Sequence, residues 1–152
     1  MAGSGNNTRN PQNANDNYPA AALRHFHDAE ILRDADAYEN ALCHYAFSVE
    51  CAQKALLYWK YQLRPSAHGI DKDWTQVSSL LNAWAAIDSG LASAMPIGIM
   101  PPKLYKDHPS RRYQRCFDVT EQEMADCQAF AQSMEQVIMN MLMDGLITIR
   151  CV

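Results

Sequence analysis

The sequence has no surplus of positive charge. Thirteen Lys and Arg stand against 17 Asp and Glu, a net of −4. Diffuse attraction to nucleic acid is thereby excluded, and any such binding must come from a local patch. No apolar run approaches the roughly 18 residues of a membrane span, so no membrane partner is expected. Residues 1–18 lack the basic-then-apolar order of a secretion signal. The five cysteines are an odd number with no Cys-x-x-Cys pair. That argues against a disulfide framework or a zinc ribbon and points to a reducing cytoplasm. Also absent are a Gly-rich phosphate loop, a Gly-x-Ser-x-Gly elbow, a dinucleotide fingerprint and a His-Glu-x-x-His spacing. No metal and no cofactor is therefore expected.

What is present is 152 residues, 48% of them hydrophobic. A chain of this length folds as one domain and buries roughly two thirds of its unfolded surface. Residues 1–17 are Gly, Ser, Asn, Thr, Gln and Pro with almost no apolar content, which predicts a disordered N-terminal tail. The folded domain then spans 18–152. Asn17 and Pro19 signal a helix start, and Leu23, Phe26, Ala29, Ile31 and Leu32 continue it over about 19–36. A second helix runs from Tyr38 to about Leu63. Its apolar face (Ala41, Leu42, Tyr45, Ala46, Val49, Ala52, Leu56, Trp59) is wide enough for the centre of a bundle, and Pro65 stops it. Asp73 reads as the cap of a third helix carrying Val77, Leu80, Leu81, Trp84 and Ile87, which Gly90 ends. Thr120 and Glu123 form a capping box for the fourth. Its stripe of Met124, Cys127, Phe130, Met134, Val137, Ile138 and Met141 closes at Gly145. The expected architecture is all-α, an up-down four-helix bundle with a long loop, Ser89 to Asp118, between the third and fourth helices.

That loop concentrates positive charge. Lys103, Lys106, Arg111, Arg112 and Arg115 lie within 13 residues, interleaved with Tyr105, His108 and Tyr113, against one acid, Asp107. Guanidinium forks grip phosphate and aromatic rings stack on bases. Lys103, Lys106, Arg111, Arg112, Tyr113 and Arg115 are thus phosphate- or RNA-binding candidates. The competing reading is that Arg112 and Tyr113 pin the loop to the bundle while the lysines are solvated. On the second helix, Glu50 and Lys54 stand four apart in the favourable order and read as a structural polar pair. Glu50 could alternatively anchor Arg111 or Arg112, because a buried carboxylate needs a partner. His25 and His27 face different ways on one helix and share no metal there; with His44 they read as satisfied or solvent-facing. The cysteines read as small hydrophobes, with Cys116 the one beside arginines.

Three segments together carry a family resemblance. They are Arg24-His25-Phe26-His27-Asp28-Ala29-Glu30-Ile31-Leu32, then Tyr38-Glu39-Asn40-Ala41, then Ala46-Phe47-Ser48-Val49-Glu50-Cys51-Ala52-Gln53-Lys54-Ala55-Leu56-Leu57. They resemble the first helical hairpin of HEPN domains. His68-Gly69 before the third helix and Pro109-Ser110-Arg111-Arg112-Tyr113 before the fourth fit the same pattern, which covers about 18–145. The resemblance implies a helical bundle that usually forms a homodimer. Many members are RNases or RNA- and nucleotide-binding modules of prokaryotic defence and toxin–antitoxin systems. Their catalytic motif is Arg, four to six residues, then His near the start of the last helix. Here no Arg is followed by His at that spacing. Arg64 and His68 are separated by three residues and follow the second helix, and no histidine lies beyond His108.

RNase activity is therefore not carried over by the resemblance. The reading that follows is a non-catalytic module that binds RNA, a nucleotide or a partner protein. Two alternatives accompany it. One is a structural or oligomerisation subunit. The other is a divergent metal-independent RNase, with His108 as general acid or base and Arg112 or Arg115 stabilising the charged phosphorane.

Overall fold

The computed structural model describes residues 17–84, 89–96, 99–114, 116, 118–147 and 149. The expected tail, Arg115 and Cys151 lie outside them, except that Asn17 is described. Among the described residues six α-helices follow in order: α1 Tyr18–Asp34, α2 Tyr38–Ala55, α3 Ile70–Trp84, α4 Ser89–Ala94, α5 Pro102–Tyr105 and α6 Glu121–Met143. The described residues contain no strand. The long helices α1, α2, α3 and α6 make the expected all-α bundle.

Local chemistry sets the helix ends. The Asn17 side chain accepts the Ala20 N–H at 3.1 Å, opening α1. At α6, the Glu123 N–H donates to Thr120 Oγ1 and the Thr120 N–H returns to the Glu123 carboxylate, completing the capping box. Gly145, at φ 71°, supplies the left-handed residue just past the end of α6.

Packing puts α2 at the centre, against α1, α3, α5 and α6. Ala22 and Ala29 of α1 meet Ala41, Leu42, Tyr45, Ala46, Val49 and Ala52 of α2, all fully buried. Alanines there let the two helices approach closely. Ser48 of α2 donates across the gap to the Ala22 carbonyl at 2.8 Å. Every residue of the predicted α6 stripe is buried. Ile31 and Trp59, expected on apolar faces, are 55% and 39% exposed. Ile31 lies on the face of α1 away from the alanine seam, and Trp59 lies beyond α2 in a π-helical turn that shifts the helical register.

Several boundaries differ from the sequence reading. α2 gives way at Leu56 to one π-helical turn ending at Lys60, short of Leu63. The α3 helix starts at Ile70, so Asp73 lies in its first turn and not at its cap. The Asp73 carboxylate instead accepts the Ser66 N–H at 3.0 Å, holding the preceding loop. Gly90 lies within α4 and does not end α3. The stretch from Ser89 to Asp118 is not one loop: it holds α4, α5 and a 3-10 turn at Ser110–Tyr113. Its four prolines punctuate short helical pieces. Met95, Met100 and Leu104, all buried, press the stretch onto the bundle. In the expected apolar tail, Ile147 is buried while Leu146 and Ile149 are exposed.

Candidate functional site

A buried polar cluster forms around Glu50, in the middle of α2. Its residue is 2% exposed, and an ionised carboxylate so placed needs compensation. Lys54, one turn on, donates to Glu50 Oε1 at 2.5 Å and to the Ala67 carbonyl at 2.6 Å. The expected Glu50–Lys54 pair therefore exists, as a buried bridge.

Two histidines complete the cluster. His68 Nδ1 lies 3.0 Å from Glu50 Oε1, and His108 Nε2 lies 2.5 Å from Glu50 Oε2. The anchor anticipated from Arg111 or Arg112 is thus His108. Burial drives the Glu50 carboxyl upward, but hydrogen bonds from His108 and Lys54 and the Lys54 charge outweigh it and hold it down at about 2. Glycine at 69 leaves room for the Ser66 side chain in the turn carrying His68. A Cβ there would meet Ser66 Oγ at 2.7 Å, the same hydroxyl that accepts the Gly69 N–H.

Arg111 is buried, and its guanidinium donates to the carbonyls of Lys103 and Lys106. It staples the connecting segment to itself. Lys103 donates to the Asp118 carbonyl at 2.8 Å and sits 3.5 Å from Glu123. Of the two adjacent arginines, Arg112 is the exposed one. Its guanidinium carbon lies 4.7 Å from the Tyr113 ring centroid and 5.6 Å from that of Phe47, and Tyr113 is 77% exposed. His108, proposed with Arg112 as a catalytic pair, has a side chain only 3% exposed, turned inward to Glu50. Phe47 touches both: its ring meets His108 edge-on at 4.7 Å. Lys106 is exposed, and Arg115 lies outside the described residues.

A cavity of about 730 Å³ opens between this segment and the first half of α6, among Met100, Lys103, Arg111, Glu123, Asp126 and Phe130. Its lining carries both signs of charge. Arg112 and Tyr113 are not part of it.

The sequence signal for the cluster was Glu50, a carboxylate on an apolar helix. The two histidines were invisible as partners because 18 and 58 residues separate them from it. A second such pair, His25 with His44, arises where α1 and α2 meet.

The described residues form an all-α bundle built on an α1–α2 hairpin, with a buried Glu–Lys pair on its central helix. The HEPN domain family model matches residues 20–141, and the chain belongs to that family. Comparison with curated proteins and with solved structures gives no match. No helix among the described residues is long and apolar enough to cross a membrane.

Proposed function

We propose that this HEPN domain is a non-catalytic module that binds single-stranded RNA or a nucleotide through Arg112, Tyr113 and Phe47. The observation that carries this reading is the exposed Arg112 guanidinium stacked on the open Tyr113 ring beside Phe47. A base stacks on such an aromatic face and a phosphate pairs with the guanidinium; each stack contributes about 1–3 kcal/mol. Two of the other cations suit the role less well. Arg111 is consumed by carbonyls, and Lys103 is compensated by Glu123. Catalysis is disfavoured because a general acid or base must reach the substrate, whereas His108 is sequestered on Glu50.

Anisotropy titration of labelled single-stranded RNA and of a labelled adenine nucleotide at low salt tests the proposal. The wild type should bind at least one of them. Arg112→Ala combined with Tyr113→Ala should weaken binding by about tenfold or more, the scale of one lost stack, with unchanged helicity. Binding that survives the double substitution, or no binding by the wild type, overturns the reading and favours a protein partner. A homodimer belongs to the same proposal. It is supported by the exposed Met139, Met143 and Leu146 at and just beyond the end of α6. Light scattering that finds only monomer at high concentration removes that part.

A further inference from the structure

Where α1 and α2 cross, three potential metal ligands converge. His25 and Asp28 stand three apart on α1, and His44 faces them from α2. The Nδ1 atoms of the two histidines are 3.1 Å apart, and Asp28 Oδ2 is 4.0 Å from His44 Nδ1. All three donor atoms lie within 4.8 Å of one another.

We propose that His25, His44 and Asp28 form a binding site for a divalent transition-metal ion of the zinc class. Two imidazole nitrogens and one carboxylate oxygen are the donors that borderline-soft first-row ions prefer. Two metal–nitrogen bonds of about 2.1 Å meeting at about 95–110° put their donors about 3.1–3.4 Å apart. The His25–His44 separation already falls there. Towards His44 the Asp28 carboxylate, at 4.0 Å, has under about 1 Å to close, a side-chain rotation. Each ligand side is backed by the fold: α1 and α2 are joined by a three-residue turn and pinned by the Ser48–Ala22 hydrogen bond. The His25 ring is braced by Phe47, stacked at 5.3 Å.

Burial, then the neighbouring His44 and Arg24, lower the His25 pKa below its ordinary value. All three residues are half-buried, so an ion has access from solvent, and open coordination positions remain for water or an anionic ligand atom. The competing cluster, Glu50 with His68 and His108, also brings three donors together. Lys54 already sits 2.5 Å from the Glu50 carboxylate there, and that ammonium would repel a second cation. A plain hydrogen bond between the two rings, one N–H donating to the other nitrogen, is the alternative for His25 and His44.

The test uses the full chain, stripped with a chelator. Zn²⁺ affinity is measured by competition with a chromophoric indicator, and coordination is read from the visible spectrum with Co²⁺. One ion per chain should bind, with d–d bands of a low-coordinate nitrogen and oxygen site and no thiolate charge-transfer band. Removing outer-shell partners of metal ligands costs about 10–100-fold, so His44→Ala should weaken Zn²⁺ by at least about 100-fold. Asp28→Asn should weaken it by about tenfold or more, and His68→Ala should leave it unchanged. Circular dichroism of each variant confirms that it folds. No stoichiometric Zn²⁺ binding, equal affinity in folded His44→Ala, a thiolate band, or loss in His68→Ala would each overturn the assignment.

Discussion

Replacing Glu50 by Gln isolates the centre of the buried cluster. The native carboxyl is held at about 2 against an ordinary 4.5, a preference of the folded state for the ionised form worth about 3 kcal/mol. Because the folded value is depressed, this stability is fully present above about pH 4.5. It is lost as the pH falls from there towards 2, where the native carboxyl finally protonates. In Glu50→Gln that loss is absent, since the amide does not titrate. At pH 7 the variant strands Lys54, whose side chain is 9% exposed, without its anion, and breaking one side of a buried pair costs about 3–5 kcal/mol. Urea unfolding of both proteins at pH 7, 5, 4 and 3 measures the effect. The variant should be less stable by about 3 kcal/mol at pH 7, and the gap should narrow steadily below pH 4.5. Glu50→Gln with Lys54→Met should recover part of the loss, because two uncharged groups leave no stranded charge. A gap under about 1 kcal/mol at pH 7, or one that stays constant down to pH 3, would refute the argument that the carboxylate is ionised and bridged.

Three further outcomes are expected. Arg111→Ala leaves the carbonyls of Lys103 and Lys106 without their shared donor, and chemical denaturation should show a loss of about 2–4 kcal/mol. Thr120→Ala removes the hydroxyl that accepts the Glu123 N–H, and thermal or urea melts should register about 1 kcal/mol. Cys127 is buried, which pushes its thiol up to about 12 against the pull of Arg111. Mass spectrometry after brief alkylation at pH 8 should find exposed Cys116 modified and Cys127 untouched until the protein unfolds.

The four long helices were legible because their signals are local and redundant. The Thr120–Glu123 box, the Asn17 cap, Gly145 and the seven-residue stripe of α6 each involve neighbours a turn or two apart, which sequence spacing reports directly. The family was legible for the same reason, since its pattern lies mostly within the first hairpin. Less visible were features whose partners are distant. Asp73 has the residue type of a cap, yet its carboxylate accepts the N–H of Ser66, seven residues back. The prolines between Ser89 and Asp118 hid short helices because a proline marks where a helix begins or ends but not whether one forms.

Charge was the quantity most altered by folding. The sequence by itself determined that five cations gather between Lys103 and Arg115 on a chain of net charge −4, and that Glu50 stands on an apolar helix. Only the tertiary structure sorted them. It turned Arg111 inward to two carbonyls, left Arg112 and Tyr113 outside, brought His68 and His108 onto Glu50, and set His25 against His44. The physical reason is one of range. Helix formation and capping are decided over a few residues of backbone. The partner of a buried charge is decided by which side chains the packed helices bring within about 3 Å, however far apart they lie along the chain.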